Sequence, residues 1–293
     1  MSVPAAYIGV ILIWTTTPLA IQWSGNEPGF LFGITSRFVL SAILALILIS
    51  ILRLPIQWDA KARQGYLASG IGIFTSMLPV YWAAQYIPSG WISVLFGLAP
   101  IMTGMMAPFW LTEKPLSLTQ WIGTLLGLLG LVIIFWSNSA MESHVIYGLG
   151  AMLCSVFCYA ASGVWIKRID SPVSGLVMTT GGLSVAAPLF LLTWFLSGNP
   201  WPETIATRTM GAIVYLAVIG SLLGFALYYH LLRTMEITRV TLIALITPVS
   251  ALLLGAELNN EITTPAIWWG TGLIVTGLIS FELGERLLIK LRT

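Results

Sequence analysis

Few side chains in this 293-residue sequence can do chemistry from within its apolar stretches. Arg37, flanked by Thr35 and Ser36, sits seven residues into such a stretch, about 10 Å from its end at the rise of an α-helix. A charge placed there faces a cavity or a partner, and the guanidinium fork is shaped for a carboxylate or a phosphate. The competing reading is that Arg37 bonds helix-end carbonyls or snorkels outward. Aromatic and hydroxyl residues recur at helical spacing. Trp14 precedes Thr15, Thr16 and Thr17; Tyr81 and Gln85 are four apart, as are Ser155 and Tyr159; Tyr228 continues a stripe with Gly224 and Ser221. Such faces either line a pocket for a small amphipathic organic molecule or join helices by packing and hydrogen bonding. His230, beside Tyr228 and Tyr229, is the candidate proton site; an interfacial histidine in an aromatic belt is the alternative.

Other chemistry is excluded by what the sequence lacks. His144 and His230 are far apart, Asp59 and Asp170 fall in polar gaps, and the glutamates lie in gaps or at the ends of apolar runs. Cys154 and Cys158 are four apart without a metal-ligand pattern. No metal set, catalytic triad, phosphate loop or carboxylate pair is present, so an enzyme, a metal and a cofactor are not expected. With no carboxylate near the middle of an apolar run, a facilitator or exchanger is favoured over a carboxylate-driven pump. The net charge of +2 is too small and dispersed for nucleic acid.

The elements that must position these residues are membrane helices. The chain is 57% hydrophobic and 8% charged, with a mean hydropathy of +0.92, whereas a soluble domain carries about a quarter charged residues. Apolar runs of the length that crosses hydrocarbon predict ten spans near 4–21, 30–52, 66–86, 88–111, 117–136, 146–166, 172–196, 209–230, 238–256 and 264–285. The first has no basic flank or cleavage site and is read as a retained membrane helix. Arg53, Lys61, Arg63, Lys114, Lys167, Arg168, Arg233, Arg239, Arg286, Lys290 and Arg292 then share the side of both termini, against Arg208 alone on the other. Basic loops resist translocation, so both termini are expected in the cytoplasm of a multi-pass protein of the cell (inner) membrane. Trp23, Trp58, Trp136, Trp201 and Trp268 at span ends fit an aromatic belt.

The sequence also repeats. Ser89–Gly130 returns as Arg239–Gly277: a proline-bearing helix (Pro100, Pro248), a glutamate thirteen positions later (Glu113, Glu261), then a glycine-lined helix in which Gly123 and Gly130 answer Gly270 and Gly277. Division into residues 1–138 and 139–293 gives five spans per half, an odd number, so the second half runs inverted. Pro100 and Pro248 mark where the backbone yields. The glycine faces of spans five and ten are packing struts or a self-association surface, leaving a monomer or a homodimer through those spans. Gly220-Ser-Leu-Leu-Gly224 in span eight is a similar packing face or lets that helix slide.

Together, Trp14-Thr-Thr-Thr-Pro18, the Arg37-Phe38 start of span two, Pro79-Val-Tyr81-Trp-Ala-Ala and the doubled Pro…Glu…Gly pattern resemble the drug/metabolite transporter superfamily, and within it the ten-span EamA-type carriers. The resemblance covers essentially the whole chain. It implies an all-α inverted-repeat bundle around a central cavity, with spans five and ten outside, and the transport of amino acids, related metabolites or drugs, often outward. Relatives that carry nucleotide sugars or sugar phosphates usually have several basic residues in the pocket. This chain offers Arg37, with no counterpart in the second half.

The expectation is an alternating-access carrier, exporter or exchanger, of small amphipathic metabolites such as amino acids, in contact with membrane lipid. Arg37 holds the carboxylate, Trp14, Tyr81, Gln85, Tyr159 and Tyr228 shape the pocket, and Pro100 and Pro248 shape the bend. The alternatives are a carrier of phosphorylated sugars or nucleotide sugars, and a membrane sensor that binds without transporting.

Overall fold

A computed structural model describes residues 2–27, 29–111, 117–136, 143–237, 240 and 243–292. The described chain is all helical: α1 (Val3–Gly25), α2 (Phe30–Ile51), α3 (Ala60–Ala83), α4 (Ser89–Phe96), α5 (Ala99–Trp110), α6 (Leu118–Trp136), α7 (Ser143–Ile169), α8 (Gly175–Leu196), α9 (Thr207–Tyr215), a π-helical segment (Leu216–Leu223), α10 (Gly224–Thr234), α11 (Ile243–Asn259) and α12 (Pro265–Arg292). Joining α4 to α5, and α9 through the π segment to α10, gives ten rods among the described residues. Six of them are long and apolar enough to cross a membrane unaided: Val3–Gly25, Phe30–Ile51, Ser89–Trp110, His144–Ile169, Gly175–Leu196 and Thr207–Thr234.

Local chemistry sets several boundaries. Asp59 accepts a hydrogen bond from Ala62 N at 2.9 Å and starts α3 six residues earlier than hydropathy predicts. An N-cap carboxylate satisfies an orphan amide and lets the helix begin in the polar layer. Ser174 caps α8 in the same way, through Val177 N. The predicted single span 88–111 is broken by a turn at Gly97-Leu98, and Pro100 falls in the first turn of α5. Proline is tolerated there because its missing N–H is one that a helix start leaves unpaired. Its repeat partner Pro248 instead lies within the unbroken α11.

The packing follows the repeat. α3 lies against α7, and the image pair, the α9–α10 rod against α1, is also in contact. α4 and α5 meet α7, as α11 meets α1; α3 meets α8, as α2 meets the π segment. Three pairs of rods that are images of each other are in direct contact: α2 with α8, α4 with α11, and α6 with α12. This is the contact pattern of two five-rod halves related by a pseudo-two-fold axis, and five crossings per half make the second an inverted copy.

At the α6–α12 seam the symmetry reaches single atoms. A methyl group on Gly123 would strike the carbonyl oxygen of Gly277, and one on Gly277 that of Gly123; Gly130 and Gly270 exclude each other reciprocally. The contact is self-complementary, as at a two-fold dimer interface, but within one chain. These glycines are therefore occupied internally.

Burial is graded for lipid rather than for water. α2 turns Ala42 and Ala45 inward and leaves Ile43, Leu46 and Ile47 exposed, the small-inside arrangement of helices that associate in hydrocarbon.

Candidate functional site

A narrow cavity of about 80 Å³ lies where the two halves meet. α1 contributes Trp14, Thr17 and Pro18, and its image α7 contributes Tyr159. Ala99 and Thr247, the residues immediately before the repeat prolines Pro100 and Pro248, both line it, so equivalent positions of the two halves face one space.

Arg37 is the charged residue of the wall and is only 1% exposed. Its Nε donates to Ser221 Oγ at 2.8 Å, and its Nη1 lies 3.5 Å from the hydroxyl of Tyr81. The guanidinium carbon sits 4.8 Å over the Phe38 ring and 5.9 Å from that of Tyr81. Among the described residues no carboxylate pairs with it. A guanidinium carries five donors, so among the described residues its remaining N–H groups are open to a partner from the cavity. A buried cation without a counter-ion is costly unless such a partner arrives.

The π segment is what brings Ser221 to Arg37. The helix widens from Leu216 to Leu223, and short π segments within α-helices mark functional sites. Ser41, one turn after Arg37, donates to Ala217 O at 3.1 Å and so ties α2 to the widened backbone. The small run Gly220-Ser221 is thus more than a packing face: Gly220 lines the cavity and Ser221 holds its charge in place.

Opposite Arg37 stands an aromatic group. Ring centroids of Trp14 and Tyr228 are 5.4 Å apart, Tyr159 and Tyr228 5.6 Å, Trp14 and Tyr159 6.0 Å, and Phe96 and Tyr159 5.7 Å. These separations suit edge-on and offset ring contact. The cluster joins α1 and α4 of the first half to α7 and α10 of the second, on the side of the cavity nearer the chain termini. Beyond it, Ser69 donates to Tyr229 at 2.7 Å, again across the halves.

At the remote end the halves are joined by polar contacts. Glu261 accepts from Ser89 N at 2.9 Å, Ser89 Oγ at 2.6 Å and Gly90 N at 3.1 Å, so a second-half carboxylate caps the first-half helix α4. Charge-assisted bonds at a helix N-terminus are strong, because the acceptor also meets the positive end of the helix dipole. Asn259 donates to Gln22 Oε1 at 2.7 Å and to Glu261 at 3.0 Å, and accepts from Trp23 Nε1 at 3.1 Å. Arg208 stacks 3.9 Å over the Trp23 ring.

The structure thus gathers Arg37, Trp14, Tyr81, Tyr159 and Tyr228 around or beside one cavity. Gln85 is elsewhere: α3 ends at Ala83, and Gln85 is exposed and donates to Trp82 O at 3.1 Å. His230 does not line the cavity; its backbone packs against Gly175 at the start of α8, and its Nε2 is buried without a partner among the described residues. Trp58 and Trp201 are exposed at rod ends as a belt requires, whereas Trp23 belongs to the remote-end network. Glu113, Lys114 and Arg239 lie outside the described residues, and the side chains of Trp136, Arg286, Lys290 and Arg292 are likewise not described. Sequence reasoning had no role for Phe96, Asn259 or Gln22, and placed Ser221 only on the Tyr228 stripe and the Gly220–Gly224 face. The repeat did single out Glu261, but as a landmark rather than as a cap.

A model of the EamA-like transporter family matches residues 3–136 and again residues 146–281. The "Uncharacterized inner membrane transporter YedA" of Escherichia coli K12 is 26% identical over 69% of this chain, and the match spans 65% of that relative's own length, a little under two thirds. An "Uncharacterized transporter" of Archaeoglobus fulgidus is 26% identical over 92% of this chain and 94% of its own. A "Probable amino-acid metabolite efflux pump" of Escherichia coli K12 is 24% identical over 94% of this chain and 93% of its own. A solved crystal structure superposes with a TM-score of 0.75 over 98% of this chain and 99% of its own at 19% identity, a likeness of fold alone.

Proposed function

We propose, from the premise that this chain belongs to the EamA-like transporter family, that it is an alternating-access secondary transporter, an exporter or exchanger, of small amphipathic metabolites such as amino acids. The observation that carries the reading is Arg37: a buried guanidinium, fixed on one side by Ser221, with donors to spare on a cavity whose far wall is aromatic. A carboxylate on Arg37 and an apolar group against Trp14, Tyr159 and Tyr228 use both walls at once. The relative named as an amino-acid metabolite efflux pump supports the same substrate class.

In this reading both termini are cytoplasmic, residues 1–138 and 139–293 rock against each other, and Pro100 and Pro248 let the lining rods bend beside the substrate. Tyr81 steadies the arginine, His230 is the proton site of a coupled mode, and Gln85 serves only at the rod end. The glycines of α6 and α12 engage each other, which supports a monomer over a homodimer through those spans. A single cation among the described lining residues favours a carboxylate over the phosphate of a sugar phosphate or nucleotide sugar. A sensor that binds without transport is separated by tracer countertransport, in which it shows no exchange.

The test is uptake of labelled amino acids into proteoliposomes. Arg37→Ala removes a charge-assisted contact and lowers flux by about 10-fold or more, while Arg37→Lys, which keeps charge but not the fork, recovers part of it. Folded Arg37→Ala protein with undiminished flux would remove the arginine from the site.

A further inference from the structure

A second concavity, of about 670 Å³, opens on the outside of the bundle between α3, α5 and α7, away from the cavity assigned above. Its mouth is basic and polar. Lys61 and Gln64 lie in the first turns of α3, and Arg168 lies in the last turn of α7; all are exposed. Trp110, the last residue of α5, and Trp165 flank the mouth and are 47% and 40% exposed. From there the groove runs into the apolar zone along Ile71 and Thr75 on α3 and Phe157 and Cys158 on α7. Gly72 forms its floor: a methyl group there would strike Ser162 Oγ, so α3 and α7 touch beneath the groove and open above it.

The dimensions and chemistry agree on one occupant. Lys61 to Thr75 is about 21 Å and Arg168 to Phe157 about 16 Å along their helices, against about 15 Å for half of the hydrocarbon thickness. The groove therefore spans one leaflet, basic at the interface and apolar to the midplane. Tryptophans at the mouth occupy the headgroup level that indole prefers, and basic pockets between membrane helices take anionic headgroups. We infer that the α3–α5–α7 groove binds one anionic diacyl phospholipid, its phosphate on Lys61 and Arg168 and an acyl chain along Thr75 and Phe157. The site is separate from the transport cavity and does not depend on which substrate that cavity carries.

The experiment is native mass spectrometry of the full chain, with phosphatidylglycerol and phosphatidylcholine of identical acyl chains competing for retention. One phosphatidylglycerol is retained preferentially by the unmodified protein. Lys61→Gln with Arg168→Gln weakens its retention about 25-fold, the product of roughly fivefold per basic residue at an anionic surface. Arg53→Gln with Arg63→Gln, at the same end but outside the groove lining, leaves it unchanged. Thr75→Trp fills the groove and lowers retention with every charge intact, which keeps the test open should the double variant fail to fold. Equal retention of the two lipids, or an effect of the outside pair as large as that of the groove pair, overturns the site. So does displacement of the lipid by glycerol phosphate at equal concentration, which would make it a site for small anions.

Discussion

The two halves are joined by opposite means at the two ends of the bundle. At the end remote from the termini, Glu261, Asn259, Gln22 and Ser89 join the halves through directional polar bonds at 2.6 to 3.1 Å. At the terminus end, Trp14, Tyr159 and Tyr228 meet as rings with centroids 5.4 to 6.0 Å apart. A charged cap is strong while made and fails abruptly, because its donors are left unpaired once the acceptor moves. Ring contacts are weaker singly and tolerate sliding. An inverted repeat thus builds its two junctions from a similar plan but not from the same chemistry. In the proposed cycle the remote junction is the one with a definite breaking point.

Substitutions at each end separate these behaviours. Glu261→Ala deprives three donors at the start of α4 of their acceptor and is expected to cost about 3 kcal/mol, discounted from the sum of three charged hydrogen bonds because the carboxylate is half-exposed. It is read as a lower melting temperature, and as faster labelling of a cysteine placed at Ser93 by a membrane-impermeant thiol reagent added on the remote side. An unchanged labelling rate would end the idea that this cap closes the cavity. Tyr228→Leu removes two ring contacts on the cavity side, about 1 to 2 kcal/mol. The same cysteine should then be labelled faster from the terminus side only, and faster labelling from both sides would show that the ends are not independent. Gln22→Ala loses one neutral bond to Asn259, about 1 kcal/mol or less, and should shift remote-side labelling slightly in the direction of Glu261→Ala. A shift as large as that of Glu261→Ala would place the strength of the closure in Asn259 instead.

The bundle was largely legible in the sequence because the lipid solvent leaves few options. Crossing length, basic asymmetry and an odd number of spans per repeat are enough to deduce two inverted halves. Arg37 was legible for the same reason, since a charge deep in an apolar run needs somewhere to point. What escaped detection depends on where helices end or change pitch. Tyr81 and Gln85 share a face only while the helix continues, and α3 stops at Ala83. The π segment has no signature beyond Gly220 and Ser221, because its wide turns are held by contacts from α2, as in Ser41 to Ala217 O. Trp23 resembled a belt residue because its partners, Asn259 and Arg208, are distant in sequence.

The reciprocal glycine contacts between α6 and α12 have a mechanical corollary. A junction whose members are one another's images maps onto itself when the two halves trade shapes, so it can stay shut at every stage of a cycle without resisting it. α6 and α12 then act as a fulcrum. In the proposed cycle the displacement that carries a molecule across then falls to the rods that this seam does not hold.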